Sequence, residues 1–173
     1  MVVPQIFDTI ERSGLSTWIR ETDSLFGFYF ILAFHTVGLA LLAGGNMLVD
    51  LRILGFASNL PLKPFKRYFS IMWLGFWINA ISGVFLLIAY PTKSFTNPMF
   101  YMKLGCIAVA MIVLQKTKTR VFGDLSLSDS LMAARGTSLA KWSLVLWIGA
   151  MTTGRMLAYT YSYLFYGHLA PGG

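Results

Sequence analysis

The sequence predicts an all-α, polytopic membrane protein: a four-transmembrane-helix up-down bundle with a short N-terminal amphipathic helix. Three observations predict it. The 173 residues are 56% hydrophobic and 12% charged, with a mean hydropathy of +0.64, outside the range of ordinary soluble domains. The apolar stretches are continuous, as spanning helices require, whereas barrel strands alternate. The basic residues gather in the connections between those stretches.

The first element is "MVVPQIFDTIERSG", residues 1–14. Pro4 near the first helical position, apolar Ile6, Phe7 and Ile10, and Gly14 as a stop describe a surface amphipathic helix. Acidic residues here, and an apolar run too long for a signal-peptide core of about 7 to 15 residues, imply that the start stays on the mature chain.

A helix needs about 20 mainly apolar residues to cross about 30 Å of hydrocarbon. Spans are expected at about 24–50, 68–90, 98–115 and 142–166, all in one membrane domain covering 1–173. The third reaches full length if Lys103 snorkels to the interface. Between them, "NLPLKPFKR" and "PTKSFTNP" are Pro-broken turns, and "GDLSLSDSLMAARG" holds a short cytoplasmic helix stopped by Gly136. The single cysteine, Cys106, falls in the third span and allows no internal disulfide. No internal repeat is present.

The net charge of +7 does not imply nucleic acid, because the cations sort by side of a membrane. Arg52, Lys63, Lys66 and Arg67 follow the first span, and Lys116, Lys118, Arg120, Arg135 and Lys141 follow the third, nine in all. Arg12, Arg20, Lys93 and Lys103 lie on the other side, with Asp8, Glu11, Glu21 and Asp23 beside them. The positive-inside rule then puts both termini outside and the two basic loops in the cytoplasm, against anionic lipid headgroups. The expected location is the bacterial inner membrane, multi-pass, with both termini periplasmic.

In lipid, small and polar residues mark helix contacts. The first span offers His35, Gly38, Leu42, Gly45 and Asn46; the second Gly75, Asn79, Ser82 and Gly83; the third Lys103, Cys106 and Ala110. In the fourth, Thr152, Arg155, Tyr159 and Ser162 form a polar stripe, with Gly154 beside it. His35 is 11 residues inside Ser24 and Arg155 is 13 inside Trp142, depths of about 16 and 20 Å at about 1.5 Å per residue. A charge at the bilayer centre costs about 2.5 to 3.5 kcal/mol, so Arg155 is expected to face the interior. Its partner there is Glu21 with Asp23, or backbone carbonyls and water, or an anionic ligand.

The segments "HTVGLALLAGGNMLVDLRILG", "NPMFYMK" and "GRMLAY" resemble an uncharacterised bacterial family of small four-span integral membrane proteins, a domain of unknown function. The likeness runs from about Leu15 to Tyr159. It implies that His35, Asp50, Arg52, Gly154 and Arg155 correspond to recurring family positions. Some relatives have a histidine near the inner end of the third span, where this chain reads "LQKTKTRV". A looser likeness of architecture links the family to four-helix membrane cytochromes b.

These residues suggest a small integral membrane subunit or accessory of a larger, redox assembly, with an interior site near His35 and Arg155. Three readings of His35 stand side by side. It could take haem b iron axially, with Arg155 or Lys103 on the propionates; copper is a weaker metal reading. It could join Arg155 or Tyr159 at a quinone or lipid, with Trp73, Trp77 and Trp147 as flat walls. Or it packs against a neighbouring helix, with no cofactor. His168 follows the fourth span, outside, and cannot reach a site at His35 without a large inward fold of the tail; no Cys-x-x-Cys-His is present. No nucleophile and base pair, phosphate loop or zinc signature is present, so no catalytic activity of its own is expected. The other partners are membrane lipids.

Overall fold

Side-chain caps from Ser13, Asn97 and Ser128 set three of the helix starts. The computed structural model describes residues 5–21 and 27–166, with side chains at all of these except positions 8, 158 and 161–166. Among the described residues the regular structure is all helical, with no strand.

Two short helices come first, α1 (Gln5–Glu11) and α2 (Gly14–Glu21). Gly14 is therefore no stop: the Ser13 hydroxyl accepts from the Ser16 amide at 3.3 Å and caps a second helix. Arg20 ties the pair together by donating to Glu11 O at 2.6 Å. Arg20 and Ser16 also donate to Ala89 O, each at 3.4 Å, occupying a carbonyl that a helix end leaves open.

The first long helical stretch is Phe28–Ile53. It comprises α3 (Phe28–Leu39), a π turn (Ala40–Gly44) and α4 (Gly45–Ile53). It closes in a Schellman motif, with Gly55 at φ +99° donating to Arg52 O and Phe56 donating to Leu51 O. A 3-10 turn (Lys63–Arg67) leads into α5 (Tyr68–Ala89), and the following turn holds α6 (Pro91–Phe95). Then α7 (Pro98–Arg120) starts with Asn97 as N-cap and Pro98 at its first position; Asn97 Oδ1 accepts from the Met99 amide at 3.0 Å. The last helix, α8 (Asp129–Tyr166), is 38 residues long.

That length corrects one expectation. No separate helix ends at Gly136; the glycine lies inside α8, buried, where a Cβ would stand 2.8 Å from Ile53 Cγ2 and 3.0 Å from Val121 Cγ2. It brings α4, α7 and α8 together rather than breaking a helix.

Three stretches, Phe28–Ile53, Lys63–Ala89 and Pro98–Arg120, are long and apolar enough to cross a membrane. The chain is thus a membrane-embedded helical protein. Its main packing pairs are α3 with α5, α7 with α8, and α4 with α8. The π turn accounts for the change of partner. One extra residue in a helical turn rotates the following face by about 100°, so α3 packs on α5 while α4 also reaches α8.

Candidate functional site

The site begins with two glycines. A Cβ at Gly38 would lie 2.6 Å from Asn79 N and 2.9 Å from Gly75 O; one at Gly75 would lie 2.8 Å from Gly38 O. Backbone therefore meets backbone at the α3–α5 crossing, as in small-residue packing of membrane helices. One turn away, that closeness places the His35 ring against α5.

His35 Nδ1 lies 3.0 Å from Asn79 O and 3.1 Å from Ser82 Oγ. A carbonyl only accepts, so Nδ1 carries the proton. The Ser82 hydroxyl spends its own proton on the carbonyls of Ile78 (2.6 Å) and Asn79 (3.2 Å) and can accept from the imidazole. Asn79 Nδ2 donates back to His35 O at 2.8 Å. Gly83 leaves room for the ring, since a Cβ there would stand 3.2 Å from His35 Cε1. The ring is fixed through Nδ1, and Nε2 keeps its lone pair, with no hydrogen bond among the described residues.

His35 lines a cavity of about 440 Å³ between the α3–α5 and α7–α8 pairs, within the size range of small-molecule sites. Its walls are mainly apolar, among them Leu42, Phe76, Leu104 and Ile107. Two residues with N–H groups to give also line it. Lys103 crosses from α7 to α8, its Nζ 3.8 Å from where a Gly154 Cβ would be, and its amine has no hydrogen bond or ion pair among the described residues. Trp147 on α8 is 0% exposed and its Nε1–H is unsatisfied.

The structure brings together His35 and Lys103 of the expected site and leaves out Arg155 and Tyr159. Arg155 and Thr152 are exposed and Tyr159 is 66% exposed, all outside the cavity. The expected inward stripe on the fourth span is thereby corrected. The packed face of α8 carries Ser143, Trp147, Ala150, Gly154 and Leu157 instead. Both stripes have helical spacing, and the packed one is the small and apolar one. Trp77 is also turned outward at 58% exposure. The side chains of Ser162 and His168, and the residue Asp23 offered as an Arg155 partner, lie outside the described residues.

Reasoning from sequence missed Trp147 as a polar contributor, and its period of 3 to 4 residues with Ser143, Ala150 and Gly154 was the available signal. No cluster of three or more His, Cys, Asp or Glu side chains suited to a metal ion occurs among the described residues. Searches against family models, curated proteins and solved structures return no match to the chain.

Proposed function

We propose that this chain is a small four-span membrane subunit whose cavity at His35 binds an apolar molecule with acceptor oxygens, a quinone above all. One observation carries the reading: Trp147, whose buried Nε1–H is unsatisfied among the described residues, lines the same cavity as Lys103 and His35. Two donors and one acceptor on apolar walls suit a quinone head, whose carbonyls accept when oxidised and whose hydroxyls donate when reduced.

A second reading, haem b, is favoured by the His35 ring itself. Iron-ligating histidines usually donate their other N–H to a carbonyl or carboxylate, as Nδ1 does to Asn79 O. Here His35 would be the axial ligand and Lys103 the propionate partner; Arg155 and Tyr159 face away. Bound haem would supply one-electron chemistry.

In this proposal α8 is the fourth span of an up-down bundle in the bacterial inner membrane, with both termini periplasmic. The exposed Arg155 supports membership of a larger assembly. At bilayer depth such a charge costs about 2.5 to 3.5 kcal/mol unless met, and its own chain turns it outward.

Purification from membranes tests the cofactor. Extractable quinone lost in both His35→Ala and Trp147→Phe supports the first reading, and a Soret band lost in His35→Ala establishes the second. A preparation with neither, unchanged on adding quinone, overturns the site. Labelling of Lys63→Cys and Ser94→Cys from the periplasm tests sidedness, with only the second expected to react.

A further inference from the structure

A second polar layer lies at the other end of the bundle, where α4, α7 and α8 meet. Ile53, Val121 and Gly136 mark that junction, both side chains reaching the place of a Gly136 Cβ. One helical turn from it, Asp50 precedes Ile53 on α4, Thr117 precedes Val121 on α7 and Ala140 follows Gly136 on α8. Asp50, Thr117 and Ala140 are 0%, 1% and 0% exposed. The next turn brings Asn46 and Ser143, joined by an Asn46 Nδ2 to Ser143 Oγ hydrogen bond of 2.6 Å.

Among the described residues, both oxygens of Asp50 and the Thr117 hydroxyl are buried without a well-formed hydrogen bond, the Ser143 side chain being close to Asp50. A carboxylate left alone in an apolar interior is strongly disfavoured. The nearby cation does not answer it. Arg52, two residues on, is committed to Leu60 O at 2.6 Å, Ser58 O at 3.2 Å and Asp129 at 3.6 Å.

We propose that Asp50, with the Thr117 and Ser143 hydroxyls, forms a binding site for a sodium ion at the junction of α4, α7 and α8. Hard cations take carboxylate, hydroxyl and carbonyl oxygens, and one carboxylate among neutral oxygens balances a single positive charge. Ser143 suits the role because its hydroxyl oxygen accepts one bond from Asn46 and keeps a second lone pair for a cation. The site is separate from the His35 cavity, which neither Asp50 nor Thr117 lines.

The test uses the full chain purified in detergent. Radiolabelled sodium should bind saturably at one site per chain, displaced by unlabelled sodium more readily than by potassium. The melting temperature should rise as sodium replaces choline chloride at constant ionic strength, by ligand linkage. Asp50→Asn should abolish both effects, and Thr117→Val should weaken sodium binding by at least about tenfold. Should Asp50→Asn not fold, wild type and Thr117→Val decide. Absence of saturable binding, with equal melting in sodium and choline, overturns the proposal and leaves the carboxyl neutralised by a proton. Sodium binding unchanged in Thr117→Val also overturns it.

Discussion

His35 and Asn79 hold each other across the α3–α5 crossing: imidazole Nδ1 lies 3.0 Å from the Asn79 carbonyl, and Asn79 Nδ2 donates to the His35 carbonyl at 2.8 Å. Neither carbonyl depends on that bond alone, since both lie within helices. Loss of the imidazole therefore strands little, and His35→Ala should cost about 0.6 kcal/mol for the helix contact, plus the space it vacates. Thermal unfolding in detergent, read beside bound cofactor, separates two roles. Near-parental stability with lost cofactor is expected; the reverse would make His35 a packing residue.

Gly38 and Gly75 impose a sharper constraint. A methyl group at either would stand within 2.9 Å of backbone atoms that cannot rotate away. Gly38→Ala and Gly75→Ala should each exceed the usual overpacking cost of about 1 to 3 kcal/mol. Gly136→Ala meets side-chain methyls of Ile53 and Val121 and no backbone, and should cost less than either. Parallel melting curves give the ranking.

Much of this was legible in the sequence, and the failures have physical causes. His35, Gly38, Gly75, Asn79 and Ser82 were assigned to contact faces because lipid leaves small and polar residues little other use, and these residues do meet. The same rule misplaced Arg155 and Tyr159. It treats charge as inward-seeking within one chain, whereas α8 packs its small and apolar stripe and turns the polar one out. Gly136 was misjudged because a glycine that lets helices approach and one that ends a helix look alike in sequence. The π turn at Ala40–Gly44, which rephases the first long helix, has no side-chain signature. The unsatisfied state of Asp50 became visible only once its neighbours were placed.

Lys103 and Arg155 should behave differently. Lys103 lines the cavity and Arg155 does not. Lys103→Met should remove a charge-assisted contact worth about 1.5 to 3 kcal/mol and lower cofactor affinity at least about tenfold. Arg155→Leu should leave both affinity and the stability of the isolated chain near the parent's, and weaken co-purification of a partner subunit. Equal loss of cofactor in both variants would return Arg155 to the site.

In the loop before α8, the Asp124 carboxylate accepts from the Ser126 hydroxyl at 2.6 Å and the Ser126 amide at 3.0 Å. Those two bonds, with Arg135 adding a smaller attraction, hold its carboxyl below the usual carboxylate range. The sign follows from linkage: a depressed folded value stabilises the loop above the unfolded value, and that stability is lost as pH falls through the folded one. Ser126→Ala should move the Asp124 titration upward in carboxyl NMR. An unmoved curve would show that the serine hydroxyl does not set it.

Trp147 supplies the most direct test of the cavity, because stability and affinity should change in opposite directions. Its Nε1–H is buried with no acceptor among the described residues, and a donor left unsatisfied costs about 1 to 3 kcal/mol. Trp147→Phe removes the donor and keeps an apolar ring on the wall. The gain from deleting the orphan is opposed by the space that the smaller ring leaves, so without cofactor the variant should melt at or above the parent once that cavity loss is offset. With quinone present the parent gains a hydrogen bond that the variant cannot make. Its affinity should exceed the variant's by about tenfold, the equivalent of about 1.4 kcal/mol. Measuring unfolding of both proteins with and without added quinone gives the two signs in one experiment. If added quinone stabilises both equally, the indole N–H does not reach the ligand, and the polar pattern assigned to this cavity is wrong.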